Sequence, residues 1–185
     1  MTITANEVSP GVYNSARITT QNKVFFTHGR VDVRARLPFG QGIWPAIWML
    51  GESISSVGWP ASGELDIMEL VGHQPNSVHG TAHWGNSGNP STFVTGTKSN
   101  GEPFSEEFHV FTFDWTPEKL TWYVDEQKFH EIERSRVTGV TYPFNSDFFL
   151  IFNIAVGGNW PGNPDETTTF PQTMEVDYVR IFQLD

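Results

Sequence analysis

The segment Gly63-Glu64-Leu65-Asp66-Ile67-Met68-Glu69-Leu70 sets three acids among apolar side chains. In a regular strand successive side chains point to opposite faces. Glu64 and Asp66 then share one face, Leu65 and Ile67 the other, and Glu69 falls on the apolar side. One extra residue, a β-bulge near Ile67-Met68, returns Glu69 to the acidic face, a common way of re-aiming a side chain beside an active site. Four ladder steps of roughly 3.3 Å hold the Glu64 and Glu69 backbones about 13 Å apart. Side chains leaning toward each other each cover roughly 4 Å, which leaves about 5 Å between the carboxyl groups. At about 5–5.5 Å one carboxylate can attack a sugar while the other protonates the leaving oxygen, with retention of configuration; an inverting pair stands further apart to admit water. Asp66, between them, can hydrogen-bond the nucleophile or hold a proton. Clustered acids also drive their pKa values apart, making an acid and a base from like residues. A solvated acidic strand face fits the same alternation; against it stands the mutual repulsion of three carboxylates on one face.

Sugars stack on flat apolar rings, so a carbohydrate cleft requires aromatics near the acids. Gly42 to Gly51 carries Trp44 and Trp48, and Trp59-Pro60 precedes the acids. His83-Trp84, Asn153 and Trp160 follow them. Trp59, Trp84 and Trp160 sit among Gly, Pro, Asn and Ser, the chemistry of loops and strand ends, and are expected to be exposed. Trp115 and Trp122 are expected in the core. The substrate-binding candidates are Trp44, Trp48, Trp59, His83, Trp84, Asn153 and Trp160, with Arg34 added from the strand Val31 to Leu37.

These groups need a scaffold of strands. Val31 to Leu37, His109 to Trp115 and Met174 to Phe182 alternate apolar and polar residues. Leu120 to Val124 and Lys128 to Ile132 read as a hairpin around Asp125-Glu126-Gln127. Phe148 to Ala155 is a near-continuous apolar run, as in a strand buried on both faces. Gly-, Pro- and Asn-rich turns separate the runs, no long helix is indicated, and Ser105 to Phe108 is at most one helical turn. Many short strands without helices predict an all-β fold of two packed antiparallel sheets.

The 185 residues fit one domain and carry a net charge of -10 with a pI near 4.9. Such acidity disfavours nucleic acid and anionic lipid as partners. With no cysteine, thiol nucleophiles and zinc-thiolate sites are excluded. No stretch has the length of a membrane span, and Met1 to Glu7 lacks the basic start and apolar run of a signal peptide.

The chain resembles the laminarinase-like endo-β-1,3-glucanases of glycoside hydrolase family sixteen. The resemblance runs through Tyr13 to Ile18, Gly29-Arg30, Leu37-Pro38, Trp44 to Leu50, Gly63 to Glu69, Phe113 to Pro117, Ala155 to Gly162 and Val176 to Arg180. It implies a curved jelly-roll β-sandwich with a concave substrate cleft. It implies a retaining, endo-acting hydrolase of β-1,3 or mixed β-1,3/1,4 glucan such as laminarin, extracellular or periplasmic. Glu64 would be the nucleophile, Glu69 the general acid/base and Asp66 their helper, with Trp59 flooring the sugar and His83 near the acid/base. The longer, bulged spacing of the motif is the laminarinase-like form. No cofactor is implied beyond a structural calcium with Asp177 as one ligand. Residues 1–185 read as one catalytic domain lacking the family's upstream strands, which usually pair with the C-terminal strand. A monomer or edge-mediated self-association is therefore expected. A glucan-binding module without catalysis and a transglycosylase are the alternatives; both glutamates are present, which favours an enzyme.

Overall fold

In the computed structural model, which describes residues 1–183, the alternating runs form thirteen strands. These are β1 (Thr2–Ser9), β2 (Val12–Asn14), β3 (Arg17–Thr19), β4 (Gly29–Arg36), β5 (Ile43–Gly51), β6 (Glu64–Glu69) and β7 (Ser77–Trp84). Then come β8 (Thr92–Ser99), β9 (His109–Trp115), β10 (Lys119–Val124), β11 (Gln127–Glu133), β12 (Phe148–Val156) and β13 (Gln172–Phe182). They pair into a seven-stranded sheet, β11-β10-β9-β4-β13-β1-β2, and a six-stranded sheet, β3-β12-β5-β6-β7-β8. All the pairings are antiparallel, so the fold is the jelly-roll sandwich expected. The acid-bearing β6 lies between β5 and β7, well away from either edge.

Period two decides which side chains meet between the sheets. Val31, Val33 and Ala35 of β4 and Phe111, Phe113 and Trp115 of β9 join Leu65, Met68, Phe148, Leu150 and Phe152 in one core. Each such buried aliphatic or aromatic side chain contributes about 1.5–3 kcal/mol. The β12 run is buried on both faces, as its composition predicts. Phe149 and Ile151 turn away from the core and build a second cluster with Leu50, flanked by Phe25, Trp48 and Ile54. The β10–β11 hairpin closes on Asp125 and Glu126, with φ of 48° and 65°. Two successive residues of positive φ match the twist of the flanking strands. The Asp125 carboxylate also accepts the Val110 N–H at 2.8 Å and faces His109 Nδ1 at 2.7 Å, tying the turn to β9.

Ser105 to Phe108 forms turn and bend, and among the described residues the one α-helical turn is α1, Ile54–Val57. The C-terminal strand takes its two neighbours in succession. It pairs with β4 over Glu175 to Phe182 and with β1 over Gln172 to Glu175. The register with β1 stops there, and further along Val179 and Phe182 are exposed.

Where the sheets approach most closely, glycine is required. A Cβ on Gly80 of β7 would stand 2.5 Å from the Trp122 ring, and one on Gly96 of β8 would stand 2.4 Å from His130. Trp122 and His130 lie against each other, ring centroids 4.9 Å apart, beneath these two positions. Overpacking of this kind costs about 1–3 kcal/mol. Gly80→Ala should therefore lower the urea midpoint by an equivalent amount; an unchanged midpoint would show that the indole yields freely.

Candidate active site

The acids share one face because β6 carries the predicted bulge. Against β5, Ala46 opposes Glu69, Ile47 opposes Met68 and Trp48 opposes Asp66, leaving Ile67 as the additional residue. Against β7, Thr81 opposes Asp66 and His79 opposes Glu69, with the register broken between them. Leu65, Ile67 and Met68 are all buried in the core, while Glu64, Asp66 and Glu69 line one cleft. The irregular step is held from the opposite sheet. Trp122 of β10, fully buried, donates its indole N–H to the Asp66 carbonyl at 2.8 Å. A buried carbonyl left without a donor costs about 1–3 kcal/mol, so this bond stabilises the bulged register.

The cleft, about 480 Å³, lies on the outer face of the six-stranded sheet. Two tryptophans hold the outer carboxylates from different sides. Trp59 donates its indole N–H to Glu64 Oε2 at 3.1 Å, and Trp44 donates to Glu69 Oε1 at 3.1 Å. Trp48 donates to Asn153 Oδ1 at 2.8 Å and carries the Arg17 guanidinium 4.6 Å above its ring. His83 Nε2 is 3.8 Å from Glu64 Oε1 and 3.3 Å from Asp66 Oδ2. The second approach lacks hydrogen-bond alignment, and Asp66 Oδ2 is buried with no partner.

Burial raises the proton affinity of all three acids, but unequally. Glu69 is pushed well above the usual carboxylate range by burial first and then by the Asp66 and Glu64 charges, against the opposing pull of His83 and the Trp44 bond. Asp66 is also pushed well up, by burial and by Glu64. Glu64 rises less: burial is countered by His83, by the Trp59 bond and by Arg17. The arrangement thus offers a carboxylate that ionises first, Glu64, beside one that keeps its proton longer, Glu69. Glu64, Asp66 and His83 each present an atom within 4.8 Å of the others, and two carboxylates with an imidazole could also ligate a divalent cation.

Of the substrate-binding candidates, Trp44, Trp48 and Asn153 line the cleft. Trp59 and Trp160 are exposed at 44% and 43%, and His83 lies between Trp59 and the acids. Trp84 is a correction: it is 2% exposed and packs edge-on against Phe144 in the core. Strand alternation explains this, since His83 faces the cleft and its neighbour must face inward. Arg34 is a second correction. It lies on β4 of the other sheet, pairs with Asp177 at 2.8 Å and sits over Phe108. The same pair bears on the expected calcium ligand: Asp177 Oδ2 faces a guanidinium, so the residues present do not fit that site. Two residues near the acids were not predicted, Arg17, which lines the cleft, and His79 of β7. Antiparallel register places Arg17 beside Asn153 and His79 beside Glu69. The signal for Arg17 lay in the matched run Tyr13 to Ile18.

A jelly-roll sandwich whose open face sets paired carboxylates among tryptophans defines the class of a carbohydrate-processing protein. The family model for glycosyl hydrolases family 16 matches residues 1–180, and the chain belongs to that family. It is 42% identical over 183 residues to a beta-glucanase of Rhodothermus marinus, covering 92% of this chain and 63% of that protein. The chain thus spans less than two thirds of that curated relative. Among solved structures, the laminarinase catalytic domain of Thermotoga maritima superposes with a TM-score of 0.90 at 45% identity, covering 100% of this chain and 77% of that one. The endo-beta-1,3-glucanase of Pyrococcus furiosus superposes with a TM-score of 0.89 at 44% identity, covering 98% and 74%.

The raised proton affinity of Glu69 has a stability consequence. Between the unfolded pKa and the raised folded one, the native state binds more protons, so this contribution to stability is full below the unfolded value and lost as pH rises. Glu69→Gln should therefore melt higher than the wild type at pH 7, and the gap should shrink at pH 4. A gap that widens toward pH 4 would show that burial does not dominate at Glu69.

Proposed function

We propose that this chain is an endo-acting, retaining hydrolase of β-1,3-containing glucan. The observation that carries the reading is the pair Glu64 and Glu69, on one face of one bulged strand and split in proton affinity by their surroundings. In the first step Glu64 attacks the anomeric carbon and the glycosidic bond breaks. Glu69 gives its proton to the departing oxygen, leaving a glycosyl ester on Glu64. In the second step Glu69, now ionised, takes a proton from water; the hydroxide portion displaces Glu64 at the same carbon, and retention follows from two inversions. Asp66, whose proton affinity is raised by burial and by the Glu64 charge, is suited to donate to the Glu64 carboxylate and to stabilise it between attacks. The exposed Trp59 ring, fixed by its bond to Glu64, offers a floor to the sugar at the cut.

The substrate assignment rests on the names of the relatives, a beta-glucanase and laminarinases. The groove form of the cleft suits internal cutting of a polymer. Action outside the cytoplasm follows from this reading, because such polymers are met there. The mixed-linkage preference and transfer to a sugar instead of water are further outcomes of the same intermediate, separated by product analysis on laminarin and lichenan.

Glu64→Ala should abolish hydrolysis of an aryl β-laminaribioside, and azide should restore turnover with an α-glycosyl azide as product. Unchanged hydrolysis would remove Glu64 from the nucleophile role. For Glu69→Ala the rate on laminarin should fall by about 10²–10⁴, with a much smaller loss on an aryl glycoside, whose leaving group needs little protonation. Equal losses on both substrates would take the acid role from Glu69.

A further inference from the structure

Two neighbouring strands bring a pair of carboxylates and an imidazole to one point. Glu64 and Asp66 lie two residues apart on one face of β6, and His83 of β7 is the register partner of Glu64. His83 Nε2 stands 3.3 Å from Asp66 Oδ2 and 3.8 Å from Glu64 Oε1. Ligand atoms about 2.1 Å from a tetrahedrally bound zinc ion lie about 3.4 Å from one another. Both measured edges fit that figure to within a few tenths of an ångström. The third edge, between the carboxylates, is within 4.8 Å, a gap inside the reach of the Glu64 side-chain torsions.

The donor atoms are also free to bind. The Trp59 indole N–H occupies Glu64 Oε2, which leaves Oε1 toward the imidazole. Asp66 is 3% exposed, and its Oδ2 is buried without a hydrogen-bond partner. Leaving a buried carboxylate oxygen unpaired is costly, and this one points at His83 Nε2. The other ring nitrogen, His83 Nδ1, faces Ser91 Oγ at 3.4 Å. Such a contact fixes the orientation of a metal-binding imidazole. Glu64 and Asp66 border the open cleft, so an ion has a path in and a fourth position open to water. Calcium and magnesium take six or more oxygen ligands. Two carboxylates with an imidazole suit zinc and ions like it.

We propose that Glu64, Asp66 and His83 form a binding site for a divalent transition-metal ion of the zinc class, and that the bound ion shuts the cleft down. The site itself rests on the geometry of the three side chains. The shutdown rests on the glucan-hydrolase reading. With Oε1 of Glu64 committed to a metal, its lone pair is no longer offered to an anomeric carbon. Asp66 is withdrawn from the nucleophile at the same time, and the ion stands where the sugar must approach. The charge balance favours the ion, since two carboxylates that repel each other gain a shared cation between them.

The test is calorimetric titration of the full chain with zinc chloride at neutral pH in a non-chelating buffer. Wild type, Asp66→Asn, His83→Ala and Ser91→Ala are compared, each shown to be folded by a thermal melt. The wild type should bind one zinc ion per chain. Asp66→Asn keeps the shape of the side chain and His83→Ala removes the imidazole; each should raise Kd at least about tenfold. Ser91→Ala, which leaves all three ligands in place, should raise it about tenfold through loss of ring support. Magnesium chloride should bind at least about tenfold more weakly than zinc. No binding of zinc to the wild type would overturn the site, an imidazolium on His83 then being the counter-charge. Wild-type affinity in either Asp66→Asn or His83→Ala would place the ion elsewhere and refute it. Magnesium binding as tight as zinc would refute the ion class. On laminarin, zinc at the concentration that saturates the calorimetric site should slow the wild type at least about tenfold, and EDTA should restore the rate. Saturation with no loss of rate would refute the shutdown. A wild type that cuts no laminarin without zinc would fail the hydrolase reading and the shutdown with it, while the calorimetry still decides the metal site.

Discussion

The hydrogen bond from the Trp122 indole to the Asp66 carbonyl governs the rest of the site. A strand without the bulge has strict period two, and Glu69 would face the core with Leu65 and Ile67 while Met68 turned out among the acids. Slipping one residue exchanges every side chain between faces. The bulge lets Ile67 and Met68 both turn inward, and the indole occupies the carbonyl at the irregular step. That indole reaches β6 only because Gly80 has no Cβ to block it. A glycine on one strand, a tryptophan on the opposite sheet and the spacing of two carboxyl groups are thus one mechanical chain.

The electrostatics follow from the same placement. Three acids on six residues would be a modest repulsion in water; among tryptophans on a sheet it is a strong one. The protein does not neutralise them with lysine or arginine pairs. It supplies indole N–H groups to Glu64 and Glu69, one imidazole, and Arg17 at a distance. Neutral donors orient a carboxylate without fixing its charge, so protons can still move. A close cation would lower the proton affinity of Glu69 and unsuit it to the acid role proposed for it. Asp66, with one buried oxygen lacking a hydrogen bond, is driven like Glu69 well above the usual carboxylate range.

What could be read in the sequence was what depends on parity. The bulge was legible because Glu64, Asp66 and Glu69 cannot share a face otherwise. The hairpin at Asp125 and the doubly buried β12 were legible for the same reason. Trp84 was misjudged because its loop-like neighbours were weighed above its alternation with His83, although the two residues cannot both face the cleft. Arg34 and Asp177 were misplaced because their partners are each other, 143 positions apart, and no local pattern records such a pairing. His79 was invisible for a like reason: it comes beside Glu69 only through the register of β7 with β6. β1 covers the C-terminal strand over Gln172 to Glu175, and its register goes no further along that strand.

The second apolar cluster, on the outer face of β12, has a consequence for recognition. Leu50, Phe149 and Ile151 are buried outside the sandwich core and extend under Trp48. The wall of the cleft is thereby packed from behind and in front, with little side-chain freedom left to lose when a ligand arrives. The entropy of ordering on association then falls on the sugar chain and not on the protein. On the function proposed, a sugar chain therefore meets a wall that does not rearrange to receive it, and whatever change of shape the fit requires is made by the chain.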